Sequence, residues 1–345
     1  MGWQDSERTT TSSEFVISNR AKVAAAAAKR RDKIASLKTQ TSSGWVKDRV
    51  TKKGHPLIEE LRQYMIDAVD TRNKPRDTEH IHPSEISKAD WCPRQTYYRI
   101  SGVPHDKGYE AGRLYWRLAS IYEEGHEIHH KHQTCFWEMG TLEGAWSCMR
   151  CEHYWWAVAP AVCPECASWH IEYREVPIVN EVAHIIGHTD GLHNEHGVRR
   201  NLEMKSVGVR SIEIEIPGVY LRWKESGGTL EGLWGQIKIP FPSHQRQVQI
   251  YMDTLNLMGY EVNETVFIYE FKANQDLKGF TVKYDPVKAG KLIARAEAVV
   301  AARDTGIPPD RPDALTVTSK TCKECPWRTE CWSIDAVQVG QTQEA

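Results

Sequence analysis

Cys148 and Cys151 form a C-x2-C pair, Cys163 and Cys166 form a second, and eleven residues separate the two. Two such knuckles at this distance have the ligand spacing of a zinc ribbon. Four thiolates close a tetrahedron there and stand in for the hydrophobic core that so short a segment lacks. Residues 143–170 are therefore read as a zinc-ribbon insert. Between its knuckles, Tyr154, Trp155 and Trp156 either pack the ribbon or stack on bases. A second group, Cys322-x2-Cys325-x5-Cys331, offers three thiolates and needs a fourth ligand. Cys92 is the candidate, because Cys135 alone is otherwise left over and reads as a buried free thiol. Nine cysteines in 345 residues, seven of them in tight pairs or triplets, point to metal chemistry rather than disulfides.

The remaining composition bounds the class. Hydrophobic residues make up 40% and charged residues 26%, as in a globular chain. No apolar run reaches the length of a spanning helix, and no secretion signal opens the sequence, so a cytoplasmic protein is expected. Asp5, Glu7 and Glu14 argue against an organelle transit peptide. Residues 1–54 hold 12 Lys/Arg against 5 Asp/Glu, although the whole chain carries a net charge of only −2. That basic arm suits phosphates or simply a solvated helix face.

Periodicity gives the organisation. Residues 1–78 read as a basic helical extension, with an Ala-rich helix over Asn19–Lys38, a loop through Thr39–Gly44, and an amphipathic helix over 56–72. The main domain, 79–345, opens with a helix over 109–133 carrying Leu114, Leu118, Ile121, Gly125 and Ile128 on one face. After the cysteine segment the period changes to strands at 171–178, 181–187, 190–195 and 200–205. A long loop is expected over 207–242, then a helix over 243–258 and strands at 264–271 and 279–284. Asp285-Pro286 caps a last helix that Gly306 stops. The pattern is α/β, a mixed central sheet flanked by helices.

Four short motifs carry chemistry. Asp190 lies where one strand ends and another begins, and thirteen residues later Glu203-Met204-Lys205 lies within a strand. Alternation puts Glu203 and Lys205 on one face and Met204 on the other. A carboxylate and an ammonium side by side suit a hydrated metal site better than a core. Phosphodiester hydrolysis needs a cation to offset charge and activate water, and Mg²⁺ needs few protein carboxylates. Lys205 would orient the water or stabilise developing charge. Gly125 and His129 share a helix face, and a glycine there permits close approach to the sheet. Gln247 and Tyr251 share another. Each motif alone also reads as a surface ion pair or an ordinary helix face.

Taken together and in order, G-x-x-x-H at Gly125–His129, G-H-x-D at Gly187–Asp190, E-x-K at Glu203–Lys205 and Q-x-x-x-Y at Gln247–Tyr251 resemble the RecB-like nucleases. The resemblance covers about residues 80–335 and implies a restriction-endonuclease-like PD-(D/E)XK core. It implies that His129, Asp190 and Glu203 ligate Mg²⁺ or Mn²⁺, with the Met204 carbonyl as a further ligand. Lys205 would be the catalytic lysine, and Gln247 and Tyr251 would position a DNA strand. The run Cys92-Pro93-Arg94-Gln95-Thr96-Tyr97-Tyr98, after His82-Pro83-Ser84-Glu85-Ile86, resembles the iron–sulfur staple of AddB-type nucleases. It is equally similar to the CRISPR-associated RecB-like exonuclease, the fourth Cas protein. This implies a 4Fe-4S cluster on Cys92, Cys322, Cys325 and Cys331, with zinc as the alternative.

The function so implied is a DNA exonuclease acting on ends or single strands in recombination, repair or CRISPR adaptation, with a protein partner from such a pathway. A non-catalytic DNA-binding subunit of the same fold is the rival reading, and an RNA-directed zinc-ribbon protein a third.

Overall fold

The computed structural model describes residues 56–72, 77–109 and 116–333. The basic arm, with its expected helix over Asn19–Lys38, lies outside them. The chain divides into two units, Met1–Glu60 and Leu61–Ala345. All that follows concerns the second, apart from the first residues of α1 (Pro56–Arg72), which matches the helix expected there.

Two short helices that each begin on a proline, α2 (Pro83–Ile86) and α3 (Pro93–Ile100), lead to the long helix α4 (Trp116–Glu138). The strands follow: β1 (Leu142–Cys148), β2 (Tyr154–Val158), β3 (Ile171–Tyr173), β4 (Val176–Asn180), β5 (Ile185–Thr189), β6 (Gly191–Glu195) and β7 (Val198–Val207). The main sheet runs β2-β1-β6-β7-β8-β9, with β3 also paired to β1, while β4 and β5 form a two-stranded sheet of their own. Here β8 is Glu264–Phe271 and β9 is Leu277–Lys283. Among the described residues, the named strands β7 and β8 pair parallel and the other strand pairs are antiparallel; Ile81 also makes an isolated parallel bridge to Ile185 of β5.

The structure corrects four expectations. Residues 207–242 are not a loop but three helices, α5 (Val209–Glu215), α6 (Pro217–Ser226) and α7 (Leu230–Gly235). Each is too short for apolar periodicity to reveal, yet local signals mark them. Pro217 opens α6, Gly227 closes it at φ +64°, and the Thr229 side chain caps α7 by accepting from Gly232 N. A parallel β7–β8 pair requires a crossover, and this segment plus α8 (Pro242–Leu257) supplies it. The strand expected over 171–178 breaks at Glu175, which takes φ +59°, and that over 181–187 begins only after His184 at φ +54°. Residues 142–148 and 154–158, on either side of the first cysteine knuckle, are strands of the main sheet. Cys135 is exposed, not buried, because it lies on the outer side of α4.

The α9 helix (Pro286–Thr305) starts as its sequence implies. Asp285 accepts from the N–H of Val287 and of Lys288, and Gly306 ends the helix at φ +72°. A last turn, α10 (Lys320–Lys323), carries Cys322.

Alternation along β7 sorts its side chains between two cores. Leu202 and Met204 face Leu142, Trp146 and the Phe136 and Trp137 rings of α4. On the other face Val207, Phe267, Tyr269 and Phe271 pack on Val248, Tyr251, Met252 and Leu255 of α8. A third cluster joins the outer side of α8 (Ile250) to α2, α3, α9 and Trp327 near the C-terminus. Trp155 and Trp156 pack against the first two cores, while Tyr154 is exposed. Among the described residues, no helix is long and apolar enough to cross a membrane.

Candidate active site

Asp190 sits at the corner between β5 and β6, and three backbone or side-chain contacts hold it there. Its Oδ2 accepts from Met204 N at 2.5 Å, which ties the corner to the middle of β7. Gln133 of α4 donates to its backbone carbonyl at 3.0 Å. One helical turn earlier on α4, His129 Nδ1 lies 3.3 Å from Asp190 Oδ1. Gly191 follows directly, and a Cβ there would meet Leu142 and Tyr173 at 2.9 and 3.0 Å, so the corner packs closely on β1 and β3. Gly125 plays no such part: a Cβ there would meet nothing within 4 Å, because that side of α4 faces open space rather than the sheet.

The ligand atoms of His129, Asp190 and Glu175 all lie within 4.8 Å of one another. Glu175 was missed in the sequence. It reaches this point because the chain turns left-handed between β3 and β4, a conformation that costs a non-glycine residue about 1–2 kcal/mol. Such local strain gathers at functional sites. Burial, reinforced by the Asp190 charge, raises the Glu175 pKa. Asp190 itself is held low: burial pushes upward, but the His129 charge and hydrogen bond outweigh it.

Glu203 stands beside this triad on the α8 face of β7, with 1% of its surface exposed. Neither of its carboxylate oxygens has a hydrogen bond of normal geometry. Its one close partner is the ammonium of Lys205, 2.5 Å from Oε1. Burial pushes its pKa up to about 7, against the pull of Lys205 and with the push of Asp190. A buried carboxylate left this short of partners costs several kcal/mol. The converging ligand atoms suit a divalent cation: the two carboxylates of Glu175 and Asp190 and the His129 imidazole, with the Glu203 carboxylate outside that group.

The α8 face above Glu203 carries the remaining expected residues. Gln247 Nε2 donates to Tyr251 Oη at 2.7 Å, and both side chains are largely buried. Burial and then the Glu203 charge raise the Tyr251 pKa well above the usual phenol value. His244, three residues before Gln247, shares this face and was also missed. Its Nδ1 lies 2.5 Å from Tyr269 Oη, and that oxygen already accepts from Phe241 N at 2.9 Å. The phenol proton therefore goes to Nδ1, which leaves the imidazole proton on Nε2. Burial, and then the charge of Lys205, lowers the His244 pKa to about 3. It is a neutral donor.

Two cysteine sets differ in geometry. The sulfurs of Cys148, Cys151, Cys163 and Cys166 all fall within 4.8 Å of one another. Both knuckles share one backbone form: Glu152 N donates to Cys148 O and Ala167 N to Cys163 O, each at 3.0 Å, and Glu152 and Ala167 take φ +61° and +54°. Cys92, Cys322, Cys325 and Cys331 line one cavity with Tyr98 and Arg311, but their sulfurs do not converge to that spacing. Arg311 Nη1 lies 3.6 Å and Arg94 Nη1 4.0 Å from Cys331 Sγ.

No protein-family model and no curated protein matches this sequence. Among solved structures, SSO0001 aligns over 80% of this chain and 96% of its own, with 12% identity and a TM-score of 0.36. An alkaline exonuclease (LHK-Exo) from Laribacter hongkongensis aligns over 71% of this chain and 93% of its own, with 10% identity and a TM-score of 0.35. Its complex with dAMP gives 12% and 0.33 over the same shares.

Proposed function

We propose that this chain is a divalent-metal-dependent DNA nuclease of the RecB-like PD-(D/E)XK kind, acting as an exonuclease on DNA ends or single strands. The observation that carries the reading is the convergence of His129, Glu175 and Asp190, with Glu203 buried and paired to the Lys205 ammonium nearby. A bound Mg²⁺ or Mn²⁺ supplies an activated water and offsets charge on the phosphate oxygens. His129, Asp190 and Glu203 would hold it, joined by Glu175. Lys205 keeps its ammonium, because the Glu203 and Asp190 charges outweigh the effect of burial and raise its pKa. As a cation it orients the water and stabilises charge that develops on the phosphate. Gln247 and Tyr251 orient the strand, each fixed by the other.

Cys92, Cys322, Cys325 and Cys331, which line one cavity, would hold a 4Fe-4S cluster, which would tie the two ends of the domain together. The tight spacing of Cys148, Cys151, Cys163 and Cys166 favours a single Zn²⁺. Recombination, repair and CRISPR adaptation are the settings in which such an activity fits.

The test is cleavage of labelled DNA with Mg²⁺ and with Mn²⁺ by the wild type and by D190A, E203A and K205A. Each variant should lose at least about 10²-fold in rate. If all three cut as the wild type does, the reading is wrong. If the wild type retains DNA but cuts it with neither metal, a binding subunit replaces the enzyme.

A further inference from the structure

The side of α8 turned away from Glu203 borders an open groove of about 940 Å³ between α8, β9 and the start of α9. Five cations line it: Arg246, Lys283, Lys288, Lys291 and Arg295. The one carboxylate is Asp285, and its charge is already used. It accepts from Val287 N and Lys288 N at the start of α9 and holds the Lys288 ammonium at 3.0 Å. The chain as a whole balances 44 Lys/Arg against 46 Asp/Glu, so this excess is local.

The cations are also placed in advance. Arg246 donates from Nε to the carbonyl of Ser87 at 2.6 Å, which fixes the stem and leaves the outer nitrogens to the groove. The guanidinium of Arg295 lies 4.5 Å over the Trp91 ring. Burial, and then the charge of Arg246, lowers the Arg295 pKa, so the two guanidiniums repel each other. The floor is rigid. The Gln249 amide donates to Lys283 O at 2.9 Å and accepts from Asp285 N at 2.8 Å, and Tyr284 Oη donates to Asp253 at 2.6 Å. Like charges held together without a counter-charge are unfavourable unless an anion joins them.

The groove is far larger than one phosphate needs, and it lies one helix away, ~10–12 Å, from the face that carries His244, Gln247 and Tyr251. We infer that this groove holds the sugar–phosphate backbone of the nucleic-acid strand that flanks the cleavage site, with Lys283 and Lys291 as phosphate contacts. The inference rests on the nuclease reading for its substrate, but its test does not.

Binding of a labelled single-stranded DNA oligonucleotide is measured by anisotropy over a range of salt, without divalent metal, for wild type, K283E/K291E and the milder K283Q/K291Q. Hydrolysis of a nitrophenyl ester of thymidine monophosphate, too short to reach the groove, is measured alongside with Mn²⁺. The expected result is about tenfold weaker binding by both variants and a salt slope smaller by about 0.7 per lost contact. Hydrolysis of the small ester should be unchanged. Unaltered affinity and salt slope in both variants overturn the groove, whatever the wild type cleaves. So does tighter retention of polyglutamate than of DNA, which marks an acidic protein as the partner. Wild-type binding with the expected losses but no cleavage of any substrate keeps the groove and removes the nuclease.

Discussion

His244 Nδ1 lies 2.5 Å from the phenol oxygen of Tyr269, the residue paired in register with Lys205 on the neighbouring strand. The Phe241 N–H already occupies an acceptor position on that oxygen. The imidazole is thus fixed as an Nε2–H donor on the face that holds Gln247 and Tyr251. For H244A we expect kcat to fall about 10²-fold with little change in KM, as for a lost donor to developing charge. H244Q, which keeps a donor, should recover part of it. Long-range ¹⁵N correlation spectra should show an uncharged Nε2–H ring throughout the acid range in which the protein stays folded. A ring that titrates near the ordinary histidine value would rule this out.

Glu175 completes the His129–Asp190 pair, so E175Q should weaken Mn²⁺ binding by about 10–100-fold, the range for groups that ligate or orient ligands. Calorimetric titration of Mn²⁺ into the protein measures this directly. Glu172, exposed and paired with Arg174, is the control. Equal losses from E172Q and E175Q would mean that the effect is general charge and not ligation.

Glu203 predicts a pH dependence whose sign is opposite to that of most carboxylates. Burial raises its folded pKa to about 7 from an ordinary 4.5. Between those values the folded state binds more protons than the unfolded, so metal-free protein loses stability as pH rises through that window. E203Q should flatten this part of the pH profile of the thermal midpoint, and Mn²⁺ should raise the wild-type midpoint most at the upper end. A wild-type midpoint that climbs across the same window, with E203Q parallel to it, contradicts the account.

The two cysteine sites should separate in spectroscopy. C331S should lose visible absorption together with iron and sulfide, while its zinc content stays near one per chain. C163S should lose zinc and keep its colour. Because Cys148 ends β1 within the main sheet, C163S should also lower the thermal midpoint. Loss of both metals from either variant would mean that the sites are not independent.

Much of this site is legible in the sequence because strand alternation and helical spacing are rigid geometries. Glu203 and Lys205 had to share a face, and Gln247 and Tyr251 had to meet one turn apart. Glu175 was not legible: its position depends on a left-handed residue between two strands that belong to different sheets, and no local pattern marks such a turn. Gln133 and His244 were hidden for another reason. Each lies one turn from a recognisable residue on a helix, where polar side chains are common and only the tertiary packing decides which of them point inward. Helices α5 to α7 were obscured by their length, since two or three turns are too few to establish a period.

Arg94 on α3 donates to the carbonyls of Pro309 and Cys331, and Trp327 donates to that of Val103, so segments more than two hundred residues apart close on each other. A growing chain on the ribosome cannot make these contacts until the segment from Pro309 to Cys331 has emerged. Until then Trp91, Tyr98 and Leu292 lack one wall of their cluster. Synthesis that stops before this segment would therefore leave an apolar seam uncovered and Cys92 without the other three thiols of its cavity.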